Sequence, residues 1–312
     1  MFRLLSALLL GGSLGANNAA NVFGAAVASR IVKFSVAAIL TAVFVILGAV
    51  LEGEGGMHTL GGLTTQDLNS AFISSFAAGL TVTFMTFLAL PVSTSQAVVG
   101  AILGMALASG QTIHWGALNK VVLCWVGTPV GAMIISYILY KGFQYILGKL
   151  RLNILSLDTP IRWGLILSGI YGAYTLGANN VANVTGVFTR SGLITVSQAT
   201  LIGGVTIAMG MPFSKRVMLT VGKNLVALDG FSAFIVTLSQ AITMHIYTII
   251  GVPTSNSQAI VGAVLGVGLV LGMRTINNRT LLNILFGWLG TPVIGAIVAF
   301  TMMKIFIMFL PA

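Results

Sequence analysis

Two short motifs rich in amides and hydroxyls each occur twice in this chain, and each second copy follows the first after 162 residues. The asparagine motif reads GANNAANVFG at 15–24 and GANNVANVTG at 177–186. The hydroxyl motif reads PVSTSQAVVGAILG at 91–104 and PTSNSQAIVGAVLG at 253–266. Apolar sequence surrounds all four copies. The chemistry that these residue types offer is the binding of ions by neutral hydrogen-bonding groups, without an acid, a base or a nucleophile.

The hydroxyl motif is typical of the start of a helix. Pro91 has no backbone donor and disfavours helix directly before it, and Ser93, Thr94 or Ser95 can cap the apolar helix that follows. The unpaired amides and the positive end of such a helix attract anions. Simple capping of a core helix is the alternative, and it is compatible with anion binding. The motif thus predicts an anion site at each helix start.

The asparagine motif places three amides on one face of a helix. Asn17 and Asn21 are four residues apart, and Asn18 and Asn21 are three apart. Amides in a membrane segment are costly unless they meet partners or a polar cavity. Amide oxygens suit a hard cation such as Na+. Adhesion between helices is the alternative, since amides and small residues also serve that purpose, but two copies at equivalent positions favour an ion site.

The composition indicates a polytopic membrane protein. Hydrophobic residues make up 57% of the chain, charged residues only 6%, and the mean hydropathy is +1.03. A soluble chain carries roughly a quarter charged residues. The net charge of +10 is therefore attributed to basic cytoplasmic loops and not to nucleic-acid binding. The single cysteine, Cys124, excludes a disulfide framework.

The apolar segments form two matched sets of five, which predicts an all-α fold of two repeats. They run near 3–28, 34–51, 71–90, 92–110, 120–140, 163–189, 192–213, 230–251, 253–273 and 281–309. A third mark, WVGTP at 125–129, recurs as WLGTP at 288–292. We expect a first repeat over 1–140, a cytoplasmic linker over 141–162 and a second repeat over 163–312. Segments 92–110 and 253–273 either span the membrane or re-enter as half-helices near its midplane.

An odd number of crossings in each half makes the second repeat inverted relative to the first. With the amino terminus outside, eleven of the 15 Lys and Arg residues face the cytoplasm: Arg30, Lys33, Lys141, Lys149, Arg151, Arg162, Lys215, Arg216, Lys223, Arg274 and Arg279. The other four face out: Arg3, Lys120, Arg190 and Lys304. This bias favours both termini outside the cytoplasmic membrane.

Other features have mainly structural interpretations. The four-residue glycine spacing in both hydroxyl motifs predicts close helix packing. The acidic residues Glu52 and Glu54 are expected at a solvated rim, with a cation-attracting vestibule as the alternative. The three histidines share no repeat position and are expected to be structural or interfacial.

The paired motifs resemble the signatures of the inorganic phosphate transporter family, and the resemblance covers both halves of the chain. It implies inverted repeats, termini outside, Na+- or H+-coupled phosphate uptake and a homodimer. It implies that cation and substrate sites use the amides of Asn17, Asn18, Asn21, Asn179, Asn180 and Asn183. It implies that the oxyanion is cradled by Ser93, Thr94, Ser95, Ser255, Asn256 and Ser257, with Asn18 and Asn180 beside them.

Two departures from the family pattern bear on coupling and substrate. The family usually has Asp at the positions of Asn18 and Asn180, and it often has His at those of Gln96 and Gln258. With amides instead, neither motif keeps a titratable side chain. That favours Na+, or a proton carried on the substrate, as the coupling ion. It also leaves both phosphate and sulfate as candidate substrates, because some relatives carry sulfate.

We therefore expect a Na+-coupled symporter of inorganic phosphate in the cytoplasmic membrane, in contact with lipid and without an organic cofactor. A permease for sulfate or another tetrahedral oxyanion is the alternative. A passive anion channel is a further one. An enzyme is disfavoured, because the chain offers no carboxylate pair, metal cluster or nucleophile–base pair.

Overall fold

The computed structural model describes residues 2–87, 92–150, 154–224, 229–272 and 278–309. Pro91, Arg151 and Arg274, which enter the expectations above, lie outside these ranges. The described chain is helical, with one isolated bridge between Thr64 and Ile113. Its α-helices are α1 (Leu5–Asn18), α2 (Ala20–Ala28), α3 (Phe34–Glu52), α4 (Glu54–Gly61), α5 (Leu68–Phe87), α6 (Thr94–Ser109), α7 (Trp115–Leu150), α8 (Ile154–Arg190), α9 (Val196–Met209), α10 (Lys215–Asn224), α11 (Gly230–Ile250), α12 (Asn256–Leu271) and α13 (Asn278–Phe309). The expected all-α fold is confirmed.

The helix boundaries repeat with the same spacing as the sequence motifs. Helices α3, α5 and α6 begin 162 residues before α9, α11 and α12. The repeats differ in continuity. The first break, at Ala19, separates α1 from α2, whereas the matching part of α8 is unbroken. Conversely, α3 is one helix, but α9 ends in a 3-10 turn at Met211–Ser214 and the chain bends by 41°.

The two halves pack on each other reciprocally. Helix α6 of the first half packs on α13 of the second, and α12 packs on α7 in the same way. The pair α1 and α9 has its counterpart in α8 and α3. Two halves related by an approximate two-fold axis would pack like this, so the arrangement is consistent with the predicted inverted repeat.

Glycines permit the close approach of these helices. A Cβ built on Gly100 would overlap the carbonyl oxygen of Pro292, and one on Gly262 would overlap that of Pro129. One helical turn further on, Gly104 meets the carbonyl of Ala296. The predicted close packing at the glycine spacing is confirmed.

Several helices are suited to a bilayer. Within the described residues, five are long and apolar enough to cross one, at Phe34–Glu52, Leu68–Phe87, Trp115–Lys149, Gly230–Ile250 and Gly287–Phe309, and the bent pair Val196–Met209 and Met211–Leu219 makes a sixth if it is one span. Helices α6 and α12 have 16 residues each, about 24 Å by helical rise, which is short of a hydrocarbon core of about 30 Å. The chain is a multi-pass membrane protein.

The structure differs from the sequence expectations in two places. Most of the expected linker at 141–162 is helical, because α7 continues to Leu150 and α8 begins at Ile154. The short helices α4 and α10 were not expected, since they carry polar and charged residues among their apolar ones. Each follows an apolar segment and packs against α8 or α2 respectively.

The glycine contacts give a prediction about stability. Gly100→Ala and Gly262→Ala should each lower the free energy of unfolding by about 1–3 kcal/mol, because the new methyl group overlaps a backbone carbonyl. Gly131→Ala is the control, since a Cβ at Gly131 meets nothing within 4 Å, and it should leave stability unchanged or raise it by up to about 1 kcal/mol. Thermal unfolding in detergent measures all three. Equal melting temperatures would contradict the packing.

Candidate functional site

Both hydroxyl motifs begin a helix, as the sequence predicts. Ser93 has an extended backbone, and its hydroxyl accepts a hydrogen bond from the backbone N–H of Gln96 at 3.3 Å. Ser255 caps α12 in the same way, because its hydroxyl accepts a hydrogen bond from the backbone N–H of Gln258 at 3.3 Å. The Ser255 hydroxyl also lies 2.9 Å from that of Ser257. These hydroxyls are buried, so the two helix starts lie inside the protein and not at its surface.

A chain of three groups joins the two helix starts to α8. Asn183 Nδ2 donates to Ser95 Oγ at 2.9 Å. The Ser95 hydroxyl in turn donates to the carbonyl oxygen of Thr254 at 2.7 Å. The second asparagine motif is therefore in contact with the first hydroxyl motif, and through it with the second.

Asn179 fixes the extended segment ahead of α12. Its Nδ2 donates to the Val252 carbonyl at 3.1 Å, and its Oδ1 accepts from the Thr254 amide at 2.8 Å. One side chain thus satisfies a donor and an acceptor of buried backbone that has left the helical hydrogen-bonding pattern. Asn179 consequently sets where α12 begins.

The first asparagine motif has different surroundings. Asn17 Nδ2 donates to the Thr86 hydroxyl of α5 at 3.0 Å. Asn21 lies on α2, which packs against α12 as α8 packs against α6. The Asn21 amide nevertheless has no hydrogen-bond partner on either polar atom, and Asn18 Oδ1 has none. Within the described residues, Asn179 and Asn183 of the second copy hydrogen-bond to the hydroxyl motifs, at Thr254 and Ser95 respectively.

Sixteen buried side-chain polar atoms in the described residues have no hydrogen-bond partner, and six of them lie on Gln66, Ser75, Trp125, Ser232 and Trp288. The other ten belong to the two motifs and to Gln240: Asn18 Oδ1, both polar atoms of Asn21, Thr94 Oγ1, Gln96 Oε1, Asn180 Nδ2, Asn183 Oδ1, Gln240 Oε1, Asn256 Nδ2 and Gln258 Oε1. All of these residues are at most 5% exposed. Buried polar groups without partners are rare in native proteins and need an explanation. They leave hydrogen-bond donors or acceptors unpaired in each of the four motif copies.

The charge of this region is as informative as its geometry. Neither motif contains an ionisable side chain, and no group of three or more His, Cys, Asp or Glu that could hold a metal occurs in the described residues. A cation would therefore be held by neutral amide, hydroxyl and carbonyl oxygens. Such ligands fit a hard monovalent ion better than a transition metal.

A cavity of about 560 Å³ reaches the partner of Asn17. It is lined by Leu8, Leu9, Gly12, Ser13, Ala16, Thr83, Thr86, Phe87, Met209, Gly210, Phe213, Arg216 and Val217. Thr86, which bonds to Asn17, lies in its wall. Most of the lining is apolar, and Arg216 is the one ionisable residue among the described residues that line it.

The equivalent positions in the other half carry large polar side chains. Residues 162 positions after Leu9, Gly12 and Thr83 are Tyr171, Tyr174 and His245. The Tyr171 hydroxyl lies 2.6 Å from His245 Nδ1, and His245 Nε2 lies 2.9 Å from Glu52 Oε2.

The structure shows what Glu52, Glu54, His58 and His245 contact. Glu52 is 37% exposed and pairs with His245 between α3 and α11, while Glu54 pairs with His58 at 3.6 Å on α4. His245 is thus interfacial, as expected. Glu52 is partly exposed, as expected for a rim residue, and it also connects α3 to α11 through His245. The sequence could not indicate its partner, because the two residues are 193 positions apart.

Gln240 is a polar residue near the site that the motif analysis missed. It lies on α11, is fully buried and bonds to Asn256 of the hydroxyl motif. A single glutamine whose counterpart in the first half is Ala78 carries no motif signal. Only the free-energy cost of burying a glutamine side chain in a membrane helix could have drawn attention to Gln240.

The fold and the site together describe a multi-pass helical membrane protein with a buried, neutral polar region where two repeated helices begin. The model of the phosphate transporter family matches residues 14–299. The chain belongs to that family, as the resemblance of its motifs predicted.

Individual relatives agree with this assignment. A protein of Methanocaldococcus jannaschii, whose name proposes a phosphate permease, is 34% identical over 92% of this chain and 91% of its own length. The sulfate permease CysP of Bacillus subtilis is 27% identical over 97% of this chain and 87% of its own. A solved structure of a sodium-dependent phosphate transporter matches with a TM-score of 0.87 and 23% identity, over 99% of this chain and 100% of that chain. That likeness establishes the fold.

The contacts of Asn179 give a prediction about the site's architecture. Asn179→Ala should lower the free energy of unfolding by about 1–3 kcal/mol, because it leaves the Thr254 amide and the Val252 carbonyl buried without a partner. Hydrogen exchange at the Thr254 amide should become faster. The control is Asn119→Ala at an exposed position on α7, which should change stability by less than about 0.5 kcal/mol. Unchanged protection of Thr254 in Asn179→Ala would refute the role given to Asn179.

Proposed function

We propose that this protein is a secondary active transporter that carries inorganic phosphate together with Na+ across the cytoplasmic membrane. The observation that carries the proposal is the group of unpartnered buried amides and hydroxyls at the starts of α6 and α12, to which both halves contribute. Membership of the phosphate transporter family and the name of the Methanocaldococcus relative support phosphate as the substrate.

The oxyanion is held at the two helix starts. The candidate contacts are Ser93, Thr94, Ser95, Ser255, Ser257, Asn256, Asn18 and Asn180, together with the free backbone amides of both first turns. The Ser95 hydroxyl already donates to the Thr254 carbonyl, so Ser95 offers the anion its backbone amide. Thr94 Oγ1, Asn180 Nδ2 and Asn256 Nδ2 have no partner within the protein. Helix starts add a favourable field for an anion without a fixed positive charge. Such a site can release its ion again, as a transporter must.

Na+ lies against the asparagine motifs and offsets the charge of the anion. Its candidate ligands are the side-chain oxygens of Asn17, Asn18, Asn21, Asn179, Asn180 and Asn183. Three of these residues have an oxygen without a hydrogen-bond partner: Asn18, Asn21 and Asn183. The match to a sodium-dependent phosphate transporter in fold supports Na+ over H+.

Transport proceeds by movement of one repeat-built bundle against the other. The excess of Lys and Arg supports an arrangement with both termini outside, in which Arg216 marks the cytoplasmic side and Glu52 the outer side. The cavity beside Arg216 is open, whereas Tyr171, His245 and Glu52 hydrogen-bond across the equivalent place. This asymmetry supports a state that is open towards the cytoplasm. A homodimer is part of the proposal through the family resemblance.

Sulfate is the second candidate substrate, because a sulfate permease is among the relatives. The residues give a physical reason. Phosphate at neutral pH carries a proton and can donate a hydrogen bond, which sulfate cannot do. A buried carboxylate favours the donor and repels sulfate. With Asn18 and Asn180, this site loses that discrimination.

The test of the function is uptake by the purified protein in proteoliposomes. Saturable phosphate uptake that collapses without a Na+ gradient supports the symporter. Conductance that does not depend on a cation gradient would instead identify a passive channel. Uptake of neither phosphate nor sulfate would refute the proposal.

The asparagine motifs give a prediction about coupling. Asn18→Ala and Asn180→Ala should each raise the Na+ concentration for half-maximal uptake about tenfold, as expected when one ligand of an ion is lost. His58→Ala, His114→Ala and His245→Ala are the controls and should change it less. Phosphate uptake driven equally well by a pH gradient in Na+-free buffer would count against Na+ coupling.

The amides also give a prediction about selectivity. Excess sulfate should compete with labelled phosphate in the native protein. The double variant Asn18→Asp/Asn180→Asp should show at least several-fold weaker competition, because carboxylates repel sulfate and accept the phosphate proton. If sulfate does not compete with the native protein, then the two amides do not relax selectivity.

A further inference from the structure

Gln240 lies outside both motifs and belongs to the second repeat alone. Its counterpart 162 residues earlier is Ala78. Both positions are fully buried, on α11 and α5 respectively. A fully buried glutamine in a membrane helix is costly and indicates a specific partner.

That partner is the first residue of α12. Gln240 Nε2 donates to Asn256 Oδ1 at 2.8 Å, and Asn256 is only 1% exposed. Asn256 directly follows Ser255, which caps the helix. The glutamine therefore acts at the point where the free amides of α12 begin.

This hydrogen bond determines which polar atom of the Asn256 side chain remains without a hydrogen-bond partner. A side-chain amide has one acceptor oxygen and one donor nitrogen. Because Gln240 occupies the oxygen, the nitrogen is turned away from it, and Asn256 Nδ2 has no hydrogen-bond partner in the structure. The opposite pairing would turn a carbonyl oxygen towards the helix start, where it would repel an anion.

The first repeat presents a different group at this place. Thr94 is the counterpart of Asn256, and its hydroxyl also lacks a partner. A hydroxyl can rotate and either donate or accept. Ala78 offers nothing that would fix it. The two helix starts are thus unequal, with an adaptable group at α6 and an oriented donor at α12.

We propose that Gln240 is a positioning residue that orients the Asn256 amide as a hydrogen-bond donor to the transported oxyanion. The proposal rests on the function proposed above, since it requires an oxyanion at the start of α12. Simple adhesion between α11 and α12 is the competing explanation. It does not account for the donor left unpaired at a buried helix start.

The first experiment replaces the amide and keeps its volume. Gln240→Met should raise the KM for phosphate about tenfold, the loss expected for one oriented hydrogen bond to an anion, with kcat changed by less than about twofold. Thr243→Val is the matched control on α11, because its buried hydroxyl bonds only to the carbonyl of Ser239 one turn earlier. That variant should keep the native KM.

A double-mutant cycle then separates positioning from adhesion. Asn256→Thr makes α12 resemble α6 and should by itself raise the KM about tenfold. Adding Gln240→Met to Asn256→Thr should raise it no further, because the group that Gln240 orients is gone. If instead the two effects multiply, Gln240 does not act through Asn256, and the proposal is wrong.

A second variant covers the case in which Gln240→Met does not fold. Gln240→Glu keeps a hydrogen bond to Asn256, but an ionised carboxylate only accepts, so the Asn256 nitrogen must turn towards it. The KM for phosphate should then rise at least tenfold although the contact between the helices survives. A native KM in this variant overturns the proposal. Absence of any uptake by the native protein would refute the proposed function instead, so the two failures can be told apart.

Discussion

A helix that starts inside a membrane protein leaves several backbone amides without partners, and hydrocarbon offers no water to satisfy them. Two helices of this protein, α6 and α12, start in the buried interior. Nearby side chains supply hydrogen-bond partners for part of this backbone. Ser93 and Ser255 cap the first turns, Asn179 satisfies the segment before α12, and Asn183 reaches Ser95 from α8. The amides that remain unpaired place hydrogen-bond donors at both helix starts, and neither motif contains a cationic side chain.

Each of the two short helices depends on the opposite repeat for its support. Helix α6 packs against α13, and α12 packs against α7, with glycine Cα atoms against backbone carbonyls. Such contacts leave no space for a side chain and hold the helix axes at short distance. The position of each helix start is therefore set by both halves. In the transport cycle proposed above, relative movement of the repeats would change the distance between the two helix starts.

The two halves share the spacing of three helix starts but differ in their side chains. Leu9 and Gly12 border a cavity where the other half has the large residues Tyr171 and Tyr174. Gln240 bonds to Asn256 at the start of α12, whereas its counterpart in the first half is Ala78. The two helix starts therefore present unequal side chains, Thr94 with an unpaired hydroxyl at α6 and Asn256 with an unpaired amide nitrogen at α12.

The sequence by itself determined the class, the repeat and the starts of helices α6 and α12. These follow from signals that are local or summed along the chain: low charge content, three motif pairs at nearly constant spacing, and caps beside apolar runs. The family assignment rests on the same motifs and is confirmed. The tertiary structure decided which buried groups meet. The contact of Asn183 with Ser95 joins residues 88 positions apart, and that of Glu52 with His245 joins residues 193 apart. The bond between Gln240 and Asn256 spans only 16 positions, yet it depends on how α11 packs against α12. Local propensity carries no information about such pairs, because their distance is set by helix packing.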